Sequence, residues 1–199
     1  MRRFNPKPVV LTGRHVRLEP LQPAHAAGLY AIGRDPEIHR YLIGPAPASA
    51  AAMAATVTKA LAAAATGLEV PFAIIHLPSA KVAGTTRFFE IRRKDRVLEI
   101  GHTWLGTAFQ RTAANTEAKY LLLRHAFEQL GAVRVQLKTD ERNERSRRAI
   151  ERLGARLEGI LHNYQTRWDG FVRNTAMYAI VAAEWPAVKA GLMALLDGS

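Results

Sequence analysis

The sequence predicts an α/β fold, a single domain with a mixed, mostly antiparallel central sheet of about 6–7 strands flanked by helices. The chain has 199 residues, within the range of one domain, and no segment has the composition of a linker. The middle of the chain alternates strand and helix patterns, which favours some parallel pairing, whereas the flanking strands pattern as hairpins. We therefore expect one domain over residues 1–199, with its core at about 10–185 and a closing helix at about 184–196.

The N-terminal half carries the patterns of three strands and two helices. Val16 and Leu18 alternate with polar neighbours, as in a strand with one buried face. Ser49 is a typical helix N-cap. The predicted elements are a strand at 14–21, a helix at 23–33, a short turn at 35–41, an alanine-rich helix at 49–67, and strands at 70–77 and 82–91.

The C-terminal half carries four more strands and three more helices. Ala118, Leu122 and Ala126 recur at helical spacing, and Gly131 is a typical C-terminal stop. The predicted elements are a strand at 97–105 that forms a hairpin with 82–91, a helix from Asn115 or Thr116 to Gly131, a strand at 133–137, a helix at 143–153, strands at 157–164 and 172–181 around Asp169-Gly170, and a helix at 184–196.

The net charge of +11 indicates an acidic partner or a solvated basic surface. The basic residues cluster at 87–96 and 142–152, and each cluster fits an exposed helix or loop face, a phosphate site, or attraction to RNA. No RNA-binding motif with interleaved aromatic residues accompanies them. We therefore expect no direct requirement for nucleic acid.

Several kinds of chemistry have little or no support in the composition. The chain has no cysteine, which excludes disulfides, thiolate catalysis by its own side chains and cysteine-ligated zinc. Its seven histidines are scattered, so no metal site is predicted. No apolar run approaches the ~20 residues of a membrane span, and the basic N-terminal residues 1–6 lead into no apolar signal region. A cytoplasmic location without a membrane partner is the expectation.

The loop at residues 110–115 is the most informative motif. It lies between a predicted strand and a predicted helix, where backbone N–H groups can converge on a diphosphate. An ordinary capped strand-to-helix loop is the alternative interpretation. A second helix start, at residues 143–148, follows the next strand.

Several segments together resemble the GCN5-related N-acetyltransferase (GNAT) family over about residues 10–185, most closely its ribosomal-protein N-terminal acetyltransferase, RimJ/RimL-like branch. Two positions depart from the family's diphosphate motif, since Ala113 replaces its central glycine and Asn115 its last small residue. The segments that carry the resemblance are the strands at 11–21 and 98–105, the loop at 110–115, the helix at 116–127, and Asn143-Glu144-Arg145-Ser146 with Gly154.

The resemblance implies an acyl-CoA N-acyltransferase fold and an acetyl-CoA-dependent N-acetyltransferase. The acetyl group would pass by direct transfer to a primary amine, with the N-terminal amine of a protein, such as a ribosomal protein, as the favoured acceptor. A small-molecule amine, a non-catalytic CoA-binding module and a basic RNA-binding accessory protein are the alternatives. A homodimer is compatible with the family.

The resemblance also implies site residues. Glu99 would act as the general base, directly or through water, unless a basic partner such as Arg87 merely neutralises it. Ser146 would protonate the leaving thiolate, because Ile150 stands where many family members have tyrosine, although a first-turn serine can simply bond to backbone. Gly101 would mark a β-bulge. The implied acetyl-CoA-binding residues are Trp104, Leu105, Gln110, Arg111, Thr112, Ala113, Ala114, Asn115, Asn143 and Ser146.

Overall fold

The computed structural model describes residues 4–198, and within them the chain forms one eight-stranded sheet with the order β1-β2-β3-β4-β5-β6-β8-β7. Neighbouring strands are antiparallel except β5 and β6, which are parallel. The strands are β1 (Leu11–Thr12), β2 (Val16–Pro20), β3 (Val70–His76), β4 (Lys81–Arg92), β5 (Val97–Leu105), β6 (Arg134–Asp140), β7 (Arg156–Thr166) and β8 (Val172–Val181). The predicted α/β class is confirmed, and the two-residue strand β1 is too short for its pattern to be recognised in the sequence.

Helices cover both faces of the sheet. They are α1 (Ala26–Gly33), α2 (Pro36–His39), α3 (Ala50–Ala65), α4 (Ala113–Arg124), α5 (Glu144–Arg152) and α6 (Trp185–Asp197). Ser49 caps α3 as predicted, by accepting a hydrogen bond from Ala52 N at 3.1 Å. The predicted start of α4 at Asn115 or Thr116 is wrong, because the Thr112 hydroxyl is the cap. The helix continues beyond α4 as a π-helical turn, His125–Gln129, and Gly131, with φ = 72°, follows its end as predicted.

The sheet separates two hydrophobic clusters. The larger one lies on the side covered by α4 and α6, here called the α4 face, and includes the fully buried Leu98 and Leu122. The smaller one lies under α1 and α3, on the α3 face, and includes Met53 and Ala73. Each large apolar side chain fully removed from water contributes about 1.5–3 kcal/mol. This packing holds the helices in fixed positions on the sheet, and the helices and strands together position the site.

A buried carboxylate fixes the position of α4. Glu117, on the second turn of α4, accepts hydrogen bonds from the backbone N–H groups of Arg14, His15 and Val16 at 2.8, 2.6 and 2.7 Å. A Cβ at Gly13 would lie 2.3 Å from the carboxyl carbon of Glu117, so only glycine allows this approach. The start of α4 is therefore anchored to the turn between β1 and β2.

The parallel strands β5 and β6 part within the sheet. They pair only where Val97–Glu99 faces residues 134–136. Beyond that point β5 stays paired with β4 to Leu105, whereas β6 stays paired with β8 to Asp140. Because α4 follows β5 and α5 follows β6, both helices begin near the open ends of the parted strands. Ligands of open α/β sheets bind in such crevices.

A β-bulge lies in β5 beside the predicted position. Thr85 faces Trp104 and Arg87 faces Gly101, so residues 102–103 oppose a single residue of β4. His102 has φ = 49°, in the left-handed region. The regular alternation of side chains expected along a strand therefore breaks beyond Gly101. Leu105 packs in the cluster of the α4 face, and Trp104 packs against the cluster of the α3 face.

Candidate active site

A cleft of about 1340 Å³ opens where β5 and β6 part. Its walls include the end of β5, the following loop, the first turn of α4 and one side of α5 along its length. Ala114 is buried beneath the cleft, and Glu99 is outside its lining. Most of the predicted acetyl-CoA-binding residues line it, namely Trp104, Leu105, Gln110, Arg111, Thr112, Ala113, Asn115, Asn143 and Ser146.

The first turn of α4 presents N–H groups to this cleft. The Thr112 hydroxyl accepts from Ala114 N at 3.2 Å, whereas the N–H groups of Ala113 and Asn115, in the same first turn, have no i−4 acceptor within the helix. Such groups carry the positive end of the helix dipole and favour an anion. Ala113 has a negative φ inside the helix, so its backbone conformation does not require glycine. Arg111, with φ = 60°, makes the sharp turn instead.

Basic side chains surround the same opening. Arg145, Arg148 and Arg152 of α5 line the cleft. Gln110 spans it, since its amide nitrogen donates to the carbonyl of Leu105 at 2.9 Å and its amide oxygen accepts from Arg145 at 2.9 Å. The cleft can thus neutralise several phosphate charges with groups from two helices.

The start of α5 places a hydroxyl in the cleft. The Asn143 side chain caps the helix by accepting from Ser146 N at 3.1 Å. Ser146 lines the cleft, whereas Ile150 is buried in the cluster of the α4 face. Among the described residues no tyrosine lines the cleft. Ser146 is therefore the hydroxyl that α5 supplies there.

Glu99 is buried on the α3 face, behind the point where the strands part. Its Oε2 lies 3.1 Å from Lys138 Nζ, and its Oε1 has no hydrogen-bond partner among the described residues. Burial raises the pKa of Glu99 to about 7, and the attraction of Lys138 only partly opposes this effect. A carboxyl group with this pKa changes charge near neutral pH, as a general base must.

A basic partner does lie beside Glu99, but it is Lys138 and not Arg87, the residue considered from the sequence. Arg87 pairs with Glu69 at 2.6 Å, and Lys138 takes the place beside Glu99. The predicted strand ended at Leu137, one residue short of Lys138, although the alternation of β6 continues through it. A Cβ at Gly101 would lie 2.6 Å from the Phe89 ring and 3.5 Å from Glu99 Oε1, so glycine keeps space beside the carboxylate.

A buried lysine lies behind the cleft on the α4 face. Lys119 Nζ donates to Thr103 Oγ1 at 2.5 Å, and Thr103 Oγ1 also lies 2.8 Å from Thr86 Oγ1. Burial lowers the pKa of Lys119 to about 7, and Glu99 opposes the shift. The sequence analysis missed this residue. Its spacing from Leu122 and Ala126 on the buried stripe of α4 is the signal that could have found it.

His102 lies at the bulge, on the same side as Glu99. Its ring meets Phe89 edge-on with the centroids 4.9 Å apart. His102 is exposed by surface area, yet desolvation by nearby protein atoms lowers its pKa to about 3, with help from the cations of Arg87, Lys138 and Arg173. The imidazole is therefore neutral at physiological pH.

A cleft between parted parallel strands, with an anion site at one helix start and a carboxylate behind the opening, defines a class of acyl-CoA-dependent acyltransferases. The family model described as "Acetyltransferase (GNAT) domain" matches residues 15–156. The chain therefore belongs to the GNAT acetyltransferase family. None of the curated proteins compared matches its sequence.

Solved structures agree with this assignment. A GCN5-related N-acetyltransferase from Brucella melitensis is 33% identical, with 96% of this chain and 87% of that chain covered and a TM-score of 0.91. A protein from T. thermophilus, provisionally assigned as an acetyltransferase, is 42% identical, with coverage of 96% and 97% and a TM-score of 0.86. One from Vibrio cholerae, provisionally assigned as a ribosomal-protein-serine acetyltransferase, is 17% identical, with coverage of 88% and 99% and a TM-score of 0.78. At that identity the likeness shows the fold alone.

The chain is accordingly an N-acetyltransferase that uses acetyl-CoA. Within residues 4–198 no group of histidine, aspartate and glutamate side chains is arranged to hold a metal ion. No helix in that part of the chain is long and apolar enough to cross a membrane.

Proposed function

We propose that this protein transfers the acetyl group directly from acetyl-CoA to the N-terminal amine of a protein, with ribosomal proteins as one class of acceptor. The observation that carries the mechanism is the parting of β5 from β6 at Glu99. It leaves a donor cleft that leads toward a buried carboxylate on the other face. The acceptor class rests on the sequence resemblance to the RimJ/RimL-like branch, and a cytoplasmic location belongs to the same proposal.

The donor would lie along the cleft. The diphosphate would accept hydrogen bonds from the first-turn N–H groups of Ala113 and Asn115. Arg145 and Arg148 would neutralise phosphate charge. The pantetheine arm would follow the edge of β5, where a backbone N–H of Trp104 or Leu105 would donate to the thioester carbonyl oxygen.

The acceptor would approach Glu99 from the α3 face. Glu99 Oε1, directly or through a water molecule, would take a proton from the substrate ammonium. The amine nitrogen would then form a bond to the thioester carbon, and the carbon–sulfur bond would break. The thiolate of CoA would leave and take the proton of the Ser146 hydroxyl, and the second proton lost by the acylated nitrogen would pass through water to restore that hydroxyl. Holding both substrates in one geometry would supply much of the acceleration.

The test is a thiol-release assay with acetyl-CoA and a panel of amines. Peptides that end in a free α-amine would be compared with the same peptides acetylated at the N-terminus, and mass spectrometry would locate the added acetyl group. The proposal predicts turnover only with the free α-amine. Acetylation of small amines, such as polyamines or aminoglycosides, without peptide turnover would overturn the acceptor class.

A non-catalytic CoA-binding role gives a different outcome in the same assay. Binding of acetyl-CoA without release of thiol on any amine would support that role. Release of thiol that depends on an amine and on Glu99 would contradict it.

A further inference from the structure

Four buried side-chain atoms lack a hydrogen-bond partner in the part of the chain that the structure describes. They are Arg87 Nε, Glu99 Oε1, Gln165 Oε1 and Arg167 Nε. Leaving a buried polar atom unpaired costs about 1–3 kcal/mol, so such atoms in a folded protein require an explanation. Two of the atoms are donors and two are acceptors, which is what a polar ligand needs.

The register of β4 and β5 places the first two atoms on the α3 face. Phe89 lies opposite Glu99, and Arg87 lies opposite Gly101. Residues directly opposite each other in antiparallel strands project to the same side, and so do alternate residues of one strand. Arg87 and Glu99 therefore share a face.

The register of β6, β7 and β8 places Gln165 on the same side. Lys138, the partner of Glu99, alternates with Asp140, which lies opposite Thr175. Arg173 donates from its Nε to the Thr175 hydroxyl at 3.1 Å, and Gln165 lies opposite Arg173. Arg167 follows Gln165 by two residues, just past the end of β7, so Gln165 and Arg167 lie toward Arg173, whereas Arg87 and Glu99 lie on β4 and β5 of the same face.

Among the charged side chains on this face, one buried cation has no carboxylate in direct contact. Arg173 is only 5% exposed and has no carboxylate within 4 Å among residues 4–198. Its guanidinium donates only to neutral oxygens, those of Thr175 at 3.1 Å and of the Tyr41 carbonyl at 3.2 Å. Each other cation has its own acid, in the pairs Arg87–Glu69, Lys138–Glu99, Arg142–Asp140 and Arg167–Asp169.

A buried arginine without an acid partner is costly, because arginine keeps its charge and its five donors need acceptors. A carboxylate matches the guanidinium fork and would supply the missing charge. Arg173 lies six residues beyond the position of β8 that is level with Glu99, but its guanidinium turns back to Thr175, and its charge lowers the pKa of Glu99.

We propose that the acceptor amine belongs to a molecule that also carries a carboxylate, as an acidic amino acid does. The carboxylate binds Arg173 and the free Nε of Arg167, while the amine faces Glu99 Oε1. This inference rests on the proposed function, since it names a specificity of the same acceptor site. The chemistry is shared by a free acidic amino acid and by a peptide whose first residue is acidic.

The first test uses the wild-type protein and pairs of amines that differ only in charge. Free aspartate is compared with asparagine, and an amidated peptide beginning with aspartate is compared with the same peptide beginning with asparagine. We expect kcat/KM to be about 10- to 100-fold higher for the acid in at least one pair, the value of charged hydrogen bonds. The pair that shows this difference identifies whether the acceptor is a free amino acid or a peptide.

The second test changes the arginine. Arg173→Gln should lower kcat/KM for the acidic amine by about 10- to 100-fold and leave that for its amide partner within about twofold. Arg156→Gln removes a 79% exposed arginine side chain on β7 and is the matched control. If Arg173→Gln does not fold, as judged by its Tm and by acetyl-CoA binding, Arg167→Gln replaces it.

The outcomes separate this inference from the proposed function. Turnover of the neutral and acidic amines at equal rates would overturn the inference and leave the transferase proposal standing. Turnover of no amine, in protein that binds acetyl-CoA, would overturn both. Loss of turnover on acidic and neutral amines alike in Arg173→Gln, with Tm and acetyl-CoA binding unchanged, would also contradict the inference.

Discussion

Replacing Glu99 with glutamine tests the role of the buried carboxylate with almost no change in shape. Its pKa is raised from 4.5 to about 7, so holding it ionised costs about 3 kcal/mol at 1.36 kcal/mol per pKa unit. In the proposed mechanism, its position and pKa make it the group that would take the proton of the amine. We expect Glu99→Gln to lower kcat/KM by about 10²–10⁴, the range of general-base catalysis.

The pH dependence of kcat/KM distinguishes loss of the general base from general damage to the folded structure. The wild-type kcat/KM should rise with pH around a midpoint of about 7, as Glu99 ionises, and this limb should be missing in Glu99→Gln. Glu158→Gln is a matched control, because that carboxylate is 42% exposed and pairs with Arg134 outside the site. Acetyl-CoA affinity should be unchanged in both variants.

Stability gives a second measurement on the same variant. A raised pKa means that the folded state binds more protons than the unfolded state between pH 4.5 and about 7. Wild-type stability therefore loses up to about 3 kcal/mol over that range as pH rises, and Glu99→Gln should not. Glu99→Gln also loses the ion pair with Lys138, which changes the free energy of unfolding of the variant at every pH. The comparison is therefore between the pH dependences of stability in the two proteins, not between their absolute stabilities. A variant that keeps turnover within tenfold and keeps the pH limb would refute the reasoning.

Three further changes test the donor cleft and the buried lysine. Ser146→Ala should lower kcat by about 10²-fold with unchanged acetyl-CoA affinity, measured by initial rates and calorimetry, and an unchanged kcat would contradict its role as the acid. Asn115→Asp should raise stability by about 0.3–1 kcal/mol at the helix start but weaken acetyl-CoA binding at least about tenfold, and tighter binding would contradict the anion site. Because the pKa of Lys119 is lowered from 10.5 to about 7, wild-type stability should rise with pH across that window, by up to about 5 kcal/mol. Urea unfolding of Lys119→Met should lack this rise, and an identical pH dependence in the two proteins would argue against a buried lysine.

The sequence was sufficient for elements whose periodicity is regular and whose ends carry clear caps. The alanine-rich helix and its Ser49 cap are examples, as are the strands that form the hairpin at 82–105. The cleft-lining part of the site could also be predicted, because a strand, a loop and a helix are consecutive in the chain.

The remaining features depend on contacts between distant segments or on broken periodicity. The bulge at 102–103 reverses the face of every following side chain in β5, and Gly101 indicated its approximate place but not this reversal. Lys138 meets Glu99 only because β5 and β6 pair across the intervening helix and loops. Arg173 similarly reaches the site through the pairing of β8 with β6, which sequence spacing does not specify.

The central claim is that the cleft between β5 and β6 binds acetyl-CoA, and a titration of the CoA-free protein tests it most directly. Thermal unfolding would be followed with acetyl-CoA, desulfo-CoA and ATP. At ~100 times its dissociation constant a specific ligand stabilises the folded state by about 2.7 kcal/mol. The account predicts a saturable rise in Tm with acetyl-CoA that exceeds the effect of ATP and is reduced in Asn115→Asp. Equal shifts with ATP and acetyl-CoA, or no shift with either, would contradict it.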